Sequence, residues 1–472
     1  MDCRRNHKHN NLIRNFESIL EVGILSAMYY FMWYWSYKQY GIQTFEGFGK
    51  YVLMLVYALL IFVLFGMCEG FKFGSLRFFD VTMSSWIALL IVNVISYLQL
   101  CLMANRLLPP VPMLLLTLAE LAVCTLLCYI YSVVYYMMNP PHDMLLISGG
   151  KKGLAIKKKI ESRGDKYRIR ESIKLDEHIF GELGASTDKK AVLKPIFEKM
   201  SGFESVVLND IPADTRNELL KYCYDHDIRT YVVPKISDII MSGSSDINLF
   251  DTPIRFVEGR GMTGFESLLK RIMDIVLGAV AMVIVAPIML IVAIAIKLDD
   301  GGPVFFRQER VTKDGRLFSI LKFRSMIVNA NEIGKVEGTT KEDPRVTKVG
   351  KIIRRFRIDE LPQIINILRG DMSLVGPRPE CKEFYDKYSS EIPEFVFRSK
   401  VKAGLTGYAQ VYGRYNTSAY DKLRLDLMYI EKYTLLLDIK IILMTLKVLL
   451  KKESTEGFDA DTEEDVAEDG SD

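Results

Sequence analysis

The sequence predicts a membrane protein of mixed class, with a four-helix transmembrane anchor, a Rossmann-like α/β domain and a mixed α/β domain that carries a re-entrant helix. Three observations predict this fold. Apolar runs near the ~20 residues that cross a bilayer as a helix recur four times in the first 140 residues. Strand-like and helix-like segments then alternate. A fifth apolar run, at residues 275–296, contains a proline and precedes a domain rich in Arg and Lys.

The composition supports an integral membrane protein and argues against a disulfide-rich or zinc-binding one. Hydrophobic residues make up 49% of the 472 residues. The seven cysteines lack the paired spacing of a zinc site or a disulfide framework, so we expect reduced thiols. The net charge of +3 conceals an acidic end, residues 453–472, that has almost nothing to bury and is predicted to be a disordered tail. We expect no nucleic-acid partner.

The predicted anchor occupies residues 1–140. Its apolar runs cover roughly residues 17–36, 50–68, 84–104 and 112–138. Basic residues precede the first run and follow the fourth, whereas the outer loops carry few cations. Because cations favour the cytoplasmic side, both ends of the anchor are predicted to be cytoplasmic. The polar stretch before the first run is too long for a cleaved signal peptide, so we expect this run to remain as an anchor.

Residues 141–255 are predicted to form a small α/β domain with a parallel sheet. The segments "DMLLISGG" and "SVVLND" indicate buried strands, and "DTRNELLKYCYDHDIRTYVVP" indicates a helix leading into a strand. The turn "SGGKKG" lacks the G-x-G-x-x-G spacing of a dinucleotide site. A tight turn in a regulatory or dimerisation module is therefore favoured over a bound nucleotide.

The fifth apolar run allows two interpretations. Pro287 lies in its middle, where the missing N–H and the ring disfavour a straight helix. One interpretation is a helix that dips into the cytoplasmic leaflet, bends at Pro287 and returns; the other is a kinked helix that crosses the bilayer. Cations flank the run on both sides. We favour the first interpretation, because a crossing would place the basic residues 299–450 outside the cell.

Two later segments combine cations with adjacent acids. The stretch "GPVFFRQERVTKDGRLFSILKFRSM" predicts two short strands joined at Asp314-Gly315 and carries Lys322. In "RRFRIDELPQIINILRGDMSLVGPRP", Asp359 and Glu360 are predicted to begin a helix, since Pro362 suits a first turn. Asp359 could simply cap this helix. Alternatively, carboxylates kept ionised by arginines and helix amides could act on phosphorus, one as nucleophile and one as a magnesium ligand. The residues alone leave both interpretations open.

These motifs, taken in order, closely resemble the bacterial sugar transferase family. The resemblance covers about residues 265–452 and rests on "KRIMDIVLGAVAMVIVAPIMLIVAIAIKLDDGGPVFFRQERV", "LKFRSM", "RRFRIDELPQIINILRGDMSLVGPRPE" and "KAGLTGYAQVYGR". These are monotopic polyprenyl-phosphate hexose-1-phosphate transferases, and the preceding spans and α/β domain resemble the large form. The resemblance implies a catalytic domain at residues 256–452, with a re-entrant helix at 271–297. It also implies a homodimer in the bacterial inner membrane, with this domain on the cytoplasmic face in contact with membrane lipid.

The resemblance further implies a ping-pong exchange of phosphate esters. Asp359 would attack the sugar-proximal phosphorus of a UDP-hexose and release UMP, and undecaprenyl phosphate would then take the sugar phosphate from the aspartate. Asp359 and Glu360 would hold Mg²⁺. The phosphate-binding cations would be Lys322, Arg354 and Arg378, which suits phosphoryl transfer because charge neutralisation and alignment are most of that work.

The implied role is the first membrane step of exopolysaccharide, capsule or O-antigen synthesis. Glucose is the favoured sugar, and galactose is next. The chain departs from the family's pattern at Ala286, where a serine usually precedes the proline, and at Tyr408, where many relatives have tryptophan. The competing hypothesis is a membrane-anchored, nucleotide-sensing scaffold without catalysis. The last amphipathic stretch, "LLLDIKIILMTLKVLLKK", fits either a membrane-surface helix or a packed core helix.

Overall fold

The computed structural model describes residues 2–37, 40, 48–150, 153–175, 189–249, 251–259, 261–328, 345–413 and 417–450. The predicted acidic tail, residues 453–472, lies outside this range. The chain divides into two compact units, Met1–Lys235 and Ile236–Asp472.

The first unit begins with the predicted anchor. Its helices are α1 (Asp2–Met32), α2 (Gly49–Cys68), α3 (Phe78–Ala104) and α4 (Val111–Met138). The last three are long and apolar enough to cross a membrane, which agrees with the second, third and fourth predicted spans. The first predicted span is helical as well, in α1 and the π-helical turn Trp33–Tyr37 that follows it. This helix is less apolar and contains Glu17 and Glu21.

A closed polar network joins the helices of the anchor. The Tyr57 hydroxyl lies 2.7 Å from Asn93 Oδ1 and 2.8 Å from Glu120 Oε1. The Asn93 amide donates to Glu120 Oε2 at 2.7 Å and to Thr117 Oγ1 at 3.1 Å. Both oxygens of Glu120 therefore have partners on α2 or α3, and the network ties these helices to α4 where water is excluded.

The α/β part of the first unit forms a parallel sheet, as predicted. The elements in chain order are β1 (His142–Gly149), α5 (Gly153–Glu161), β2 (Tyr167–Leu175), α6 (Lys189–Met200), β3 (Ser205–Asn209), α7 (Ala213–Asp225) and β4 (Arg229–Val232). The strand order is β2-β1-β3-β4, with every pair parallel. Apolar side chains of β1 and β3 pack against α6 and α7. The Rossmann-like character of this domain stays a prediction.

The predicted turn "SGGKKG" joins β1 to α5. Gly150 has a φ of +75°, a conformation that glycine adopts readily. A Cβ on Gly153 would lie 2.9 Å from Ser148 Oγ, so the helix packs closely on the end of the strand. A tight strand-to-helix turn is confirmed by these two glycines. Lys151 and Lys152 lie outside the described residues, and the nucleotide hypothesis stays untested.

The second unit contains the domain predicted to be catalytic. Its elements are α8 (Ile236–Ser242), β5 (Ser245–Leu249), β6 (Thr252–Phe256), α9 (Gly264–Asp300), β7 (Phe305–Val311), β8 (Leu317–Phe323), α10 (Lys348–Arg355), α11 (Gln363–Arg369), β9 (Ser373–Val375), α12 (Lys382–Glu391), β10 (Gly404–Thr406), α13 (Tyr408–Tyr412), α14 (Ala419–Glu431) and α15 (Leu435–Leu450). The hairpin predicted at Asp314-Gly315 is confirmed: β7 and β8 are antiparallel, and both turn residues have positive φ.

The long apolar helix α9 is held at its N-terminal end by buried polar contacts. Thr263 caps it in a capping box with Glu266. Lys270 Nζ lies 2.5 Å from Asp438 Oδ2, and both side chains are buried. Asp274 accepts hydrogen bonds of 3.0 Å from the Ser373 hydroxyl and the Leu374 amide. These contacts fix the start of the helix to α15 and β9.

The C-terminal end of α9 packs on the same domain. Val292 and Ile296 are buried against Phe323 and Ile353, and Asp300 forms an ion pair with Arg324. No residue of α9 between Gly278 and Val292 is buried. The helix continues through Pro287 without ending there, and Pro287 itself is exposed. Both ends of the helix therefore contact one domain, whereas most of its apolar middle is exposed.

The C-terminal helix α15 packs against the core of this unit. Asp438, Ile441, Met444 and Lys447 are buried on one face, whereas Leu436 and Leu450 are exposed. The packed-helix interpretation is therefore confirmed for the buried face.

Candidate active site

Asp359 and Glu360 lie in a tight turn between α10 and α11. The turn is a single 3-10 segment, Ile358–Glu360, and Arg357 before it has a φ of +53°. The α-helix starts only at Gln363, after Pro362, and that start has no side-chain cap. The two acids therefore lie in a short 3-10 helix that precedes the α-helix. The capping interpretation of Asp359 is wrong, since Pro362 occupies the N-cap position of the α-helix. Hydrogen bonds from Glu360 N to Arg357 O and from Leu361 N to Ile358 O close the tighter turn instead.

Glu360 is held by two of the predicted phosphate-binding cations. Its Oε1 atom lies 2.9 Å from Arg378 Nη2 and 3.4 Å from Lys322 Nζ, and only 15% of the side chain is exposed. Burial alone would raise the pKa of Glu360. The positive charges of Arg378 and Lys322 outweigh it and bring that pKa to about 2. Glu360 therefore stays a carboxylate in an ion-paired cluster.

Asp359 has a different environment, although it is the neighbouring residue. Within the described part of the chain, no cation lies within ion-pair distance of its carboxylate. Burial raises the pKa of Asp359, and the charge of Glu360 raises it further. Lys322 and Arg354 act in the opposite direction without cancelling these effects. The site thus holds one carboxylate engaged by cations and one that is electrostatically less satisfied.

The cations come from three separate elements. Lys322 is on β8, and burial lowers its pKa. Arg378 follows β9, and the charge of Glu360 raises its pKa. Arg354 ends α10, and its Nε donates a 2.8 Å hydrogen bond to Ser325 Oγ. The fold therefore brings together all five residues that the sequence placed in the site, whereas Pro287 lies in the exposed middle of α9.

Asn366 positions the strand that carries Lys322. Its Oδ1 accepts from Leu321 N and its Nδ2 donates to Ser319 O, both at 2.9 Å. The helix that follows the acids, α11, is thereby joined to the strand that carries Lys322. Sequence reasoning did not select Asn366, although an amide on the apolar face of "QIINILR" was an available signal.

Arg398 positions the backbone at Arg378. Its Nη2 donates to Arg378 O at 2.9 Å and lies 2.8 Å from the buried carboxylate of Asp426. Arg310 also supports this segment, since its Nη1 donates to Pro379 O at 3.2 Å. Nothing local in the sequence marks Arg398 or Asp426, because their role depends on residues distant in the chain.

The donor set at the site suits a hard cation only in part. The described residues include one group of three or more potential metal-ligating side chains, and that group lies in the anchor at Glu21, Cys124 and Cys128. Asp359 and Glu360 are two carboxylates, and Mg²⁺ is commonly bound by one or two carboxylates together with substrate phosphates. The pair therefore fits magnesium when a phosphate-bearing substrate supplies the remaining ligands.

The arrangement is chemically suited to an anionic substrate that carries phosphate. Three cations, Lys322, Arg354 and Arg378, surround two carboxylates, so positive charge is in excess. Positively charged clamps of this kind stabilise the charge on a phosphoryl group during transfer.

Comparisons with known proteins agree with this chemistry. Residues 265–452 match the family described as Bacterial sugar transferase. The chain is 45% identical over 187 residues to the UDP-N-acetylgalactosamine-undecaprenyl-phosphate N-acetylgalactosaminephosphotransferase of Aeromonas hydrophila, which covers 39% of this chain and 44% of the relative. It is 42% identical over 210 residues to the UDP-glucose:undecaprenyl-phosphate glucose-1-phosphate transferase of Escherichia coli, covering 43% of each.

A third relative is matched over most of its length. This is the UDP-glucose:undecaprenyl-phosphate glucose-1-phosphate transferase of Caulobacter vibrioides, 45% identical over 193 residues, or 40% of this chain and 72% of the relative. For the other two relatives the matched segment spans less than half of their length. Because one relative of clear identity is covered over more than two thirds of its length, the chain belongs to the bacterial sugar transferase family.

Proposed function

We propose that the protein transfers a hexose 1-phosphate from a UDP-hexose to undecaprenyl phosphate, producing undecaprenyl-diphospho-hexose and UMP. The proposal rests on the different environments of Asp359 and Glu360 within one cluster of cations. Glu360 is ion-paired with Lys322 and Arg378, whereas the pKa of Asp359 is raised. The activities for which the relatives are named support the reaction class.

Asp359 is the nucleophile in the first half of the reaction. Its carboxylate oxygen forms a bond to the sugar-proximal phosphorus, and the bond from that phosphorus to the bridging oxygen breaks, so that UMP leaves with the bonding electrons. A raised pKa indicates a more basic oxygen, and Asp359 has no ion-pair partner among the described residues that would compete with the phosphorus. The product is a sugar-phosphoryl aspartate.

The second half of the reaction regenerates Asp359. A phosphate oxygen of undecaprenyl phosphate attacks the same phosphorus, and the bond to the aspartate oxygen breaks. Lys322, Arg354 and Arg378 neutralise the phosphate charges in both halves. Glu360 holds two of these cations in place through its contacts with Lys322 and Arg378.

Magnesium is the cofactor that we propose for this site. Asp359 and Glu360 would hold it together with the diphosphate of the nucleotide sugar, where it would supply additional positive charge. Glu360 retains Oε2 for such a contact, since its ion pairs with Lys322 and Arg378 both involve Oε1.

We propose that α9 is re-entrant and that the site lies at the cytoplasmic face of the inner membrane. Both ends of α9 contact one domain, and cations flank its apolar run on both sides. By length and composition alone, the helix could also cross a membrane. A shallow dip keeps the site at the headgroup layer, where the phosphate of a polyprenyl lipid lies. The predicted homodimer stays a prediction.

Substituting the proposed nucleophile tests the reaction. Asp359→Asn should reduce UMP release from UDP-glucose, with undecaprenyl phosphate and Mg²⁺ present, by at least about 1,000-fold, since an amide cannot attack phosphorus. The matched control is Asp386→Asn, which changes an exposed aspartate paired with Lys382 on α12. Without lipid acceptor, UDP-glucose radiolabelled in the sugar should label the wild-type protein but not the Asp359 variant.

Two results would contradict the proposal. Full transfer by the Asp359→Asn variant would exclude this residue as nucleophile. Absence of UMP release with any member of a panel of UDP-hexoses would favour the non-catalytic scaffold. The same panel identifies the sugar, for which we propose glucose first and galactose next, in the first membrane step of exopolysaccharide, capsule or O-antigen synthesis.

Cysteine labelling tests the membrane arrangement. Single cysteines placed at exposed positions after residue 300, such as Lys382 on α12, should react with a membrane-impermeant thiol reagent only after the cells are opened. A cysteine there that reacts in intact spheroplasts would show that α9 crosses the membrane.

A further inference from the structure

The first unit contains a cavity that the proposed reaction does not use. It has a volume of about 370 Å³ and lies where the start of α1 and the end of α4 approach the α/β sheet. This volume is within the usual range of small-ligand sites. The cavity opens at the amino ends of the parallel strands, at His142 of β1 and Arg229 of β4. Nucleotides bind such sheets at the carboxyl ends, so this position disfavours a nucleotide.

The wall formed by the sheet is basic. Lys166 and Arg229 line it, and Arg14 of α1 contributes a third cation, whereas Glu17 is the lining carboxylate. Burial lowers the pKa of Lys166, and no carboxylate in the described ranges lies within ion-pair distance of its ammonium group. Burial and the charge of Arg229 also lower the pKa of His142, so the imidazole tends to be neutral. Three cations and one carboxylate therefore line the cavity, so positive charge is in excess.

Another part of the lining is apolar and aromatic. Val134 and Met138 of the last turns of α4 line it, together with Phe73 before α3 and the rings of Tyr135 and Tyr231. Helix ends of this kind lie at the level of the lipid headgroups. A ligand that fits this lining carries both an anionic group and an apolar chain.

The cavity is built into a tied junction. Arg163 Nη1 donates to Ser75 O at 3.0 Å, and Arg77 Nη2 donates to Ser162 O at 2.7 Å. These bonds connect the loop before α3 with the segment between α5 and β2, adjacent to the lining residues Ser75 and Lys166. The positions of the two walls are therefore coupled.

We propose that this cavity binds the phosphate headgroup of a membrane lipid, with Lys166, Arg229 and Arg14 around the phosphate and the lipid chain along the end of α4. Basic pockets at the cytoplasmic ends of membrane helices recognise anionic headgroups in this way. The site is separate from the Asp359 site and gives the α/β domain a lipid ligand of its own.

Photocrosslinking of the full chain tests the proposal. The protein is placed in phosphatidylcholine nanodiscs with a small fraction of phosphatidic acid that carries a photoactivatable group near the headgroup. Crosslinks should map to peptides containing residues 134–142 or 229–232, and unlabelled phosphatidic acid should compete. The double variant Lys166→Gln/Arg229→Gln should bind at least about tenfold more weakly, since it removes two of the three cations that we place around the phosphate.

The matched control is Arg170→Gln/Lys221→Gln, which removes the same charge from exposed positions of the same domain. It should crosslink like the wild type. Equal crosslinking of the two double variants would overturn the proposal, and so would equally strong competition by inorganic phosphate, which would indicate a site for free phosphate. If the Lys166/Arg229 variant does not fold, Met138→Glu in the apolar wall provides the second test: it should repel the lipid phosphate, and unchanged crosslinking would overturn the proposal.

Discussion

Two buried polar clusters in this molecule each contain a glutamate, but they have different roles. The cluster around Glu120 in the anchor pairs a carboxyl group with neutral partners, Tyr57 and Asn93, and both carboxyl oxygens are satisfied. The cluster around Glu360 pairs a carboxylate with cations, and further positive charge is left over. A cluster whose hydrogen bonds are all satisfied fixes the arrangement of helices. A cluster with excess positive charge can bind an anionic ligand.

The contrast also distinguishes the two adjacent acids. Glu360 resembles Glu120 in being held by its neighbours, while Asp359 lies beside it without an ion-pair partner in the described chain. Satisfied polar groups contribute to the structure, and the less satisfied group is the better candidate for chemistry. Three experiments examine this comparison.

The largest expected effect is on catalysis, through Glu360→Gln. The amide keeps the shape of the side chain but removes the charge that holds Lys322 and Arg378, so the cations lose their alignment with the phosphates. We expect UMP release to fall by about 100-fold. Steady-state kinetics against UDP-glucose measures this change.

Glu391→Gln, on the exposed end of α12, serves as the control for the loss of a carboxylate. The melting temperature of each variant in the same detergent shows whether the loss is one of folding. Unchanged turnover in a folded Glu360→Gln variant would place Glu360 among the purely structural groups, together with Glu120.

The next effect is on stability, through Asn93→Leu in the anchor. This change removes the partner of Glu120 Oε2 and of Thr117 Oγ1. We expect a loss of about 1–2 kcal/mol in the free energy of unfolding, because interhelical hydrogen bonds in membranes contribute about 0.6 kcal/mol each on average and Asn93 makes three of them. Thermal unfolding in detergent should show a lower midpoint, with UMP release per folded molecule unchanged.

Val94→Leu is the control, because Val94 is the exposed neighbour of Asn93 on α3. An Asn93→Leu variant that melts like the wild type but loses UMP release would contradict this comparison. It would show that the Glu120 cluster contributes to activity and not to stability.

Much of this organisation was predictable from the sequence, for identifiable physical reasons. The spans and the strands of the α/β domain follow from runs and periods of apolar residues, which are local properties. The grouping of Lys322, Arg354 and Arg378 around the two acids followed from ordered motifs that resemble a family. The positioning roles of Asn366 and Arg398 could not be predicted, since Asn366 binds a strand 45 positions away.

The difference between Asp359 and Glu360 could not be predicted either. The two acids are adjacent, and the same basic segment surrounds both in the sequence. The residue pattern therefore gives no reason to assign different environments to them. The turn that begins at Arg357 places the Glu360 carboxylate against Arg378 and Lys322. The backbone conformation of Arg357, three residues before Glu360, therefore helps to determine which acid is ion-paired.

The smallest expected effect is a shift in the pH dependence of activity, and it tests the coupling between the acids directly. Asp359 must be ionised to attack phosphorus, so activity is lost as the pH falls through its pKa. That pKa is raised by burial first and by the charge of Glu360 second. Glu360→Gln removes the second contribution and frees Lys322 and Arg378 to favour the Asp359 carboxylate. Both changes lower the pKa, so the acid limb of the residual activity should move to lower pH.

We expect this shift to be less than about one pH unit, which corresponds to less than about 1.4 kcal/mol. The measurement is kcat/KM for UMP release across the acidic range, with the Glu391→Gln variant expected to keep the wild-type limb. A limb that stays in place would show that Glu360 does not act on Asp359 through its charge. A limb that moves to higher pH would mean that the pKa of Asp359 has risen. In that case Glu360 would favour the Asp359 carboxylate by holding the cations in place more than it disfavours that carboxylate by repulsion.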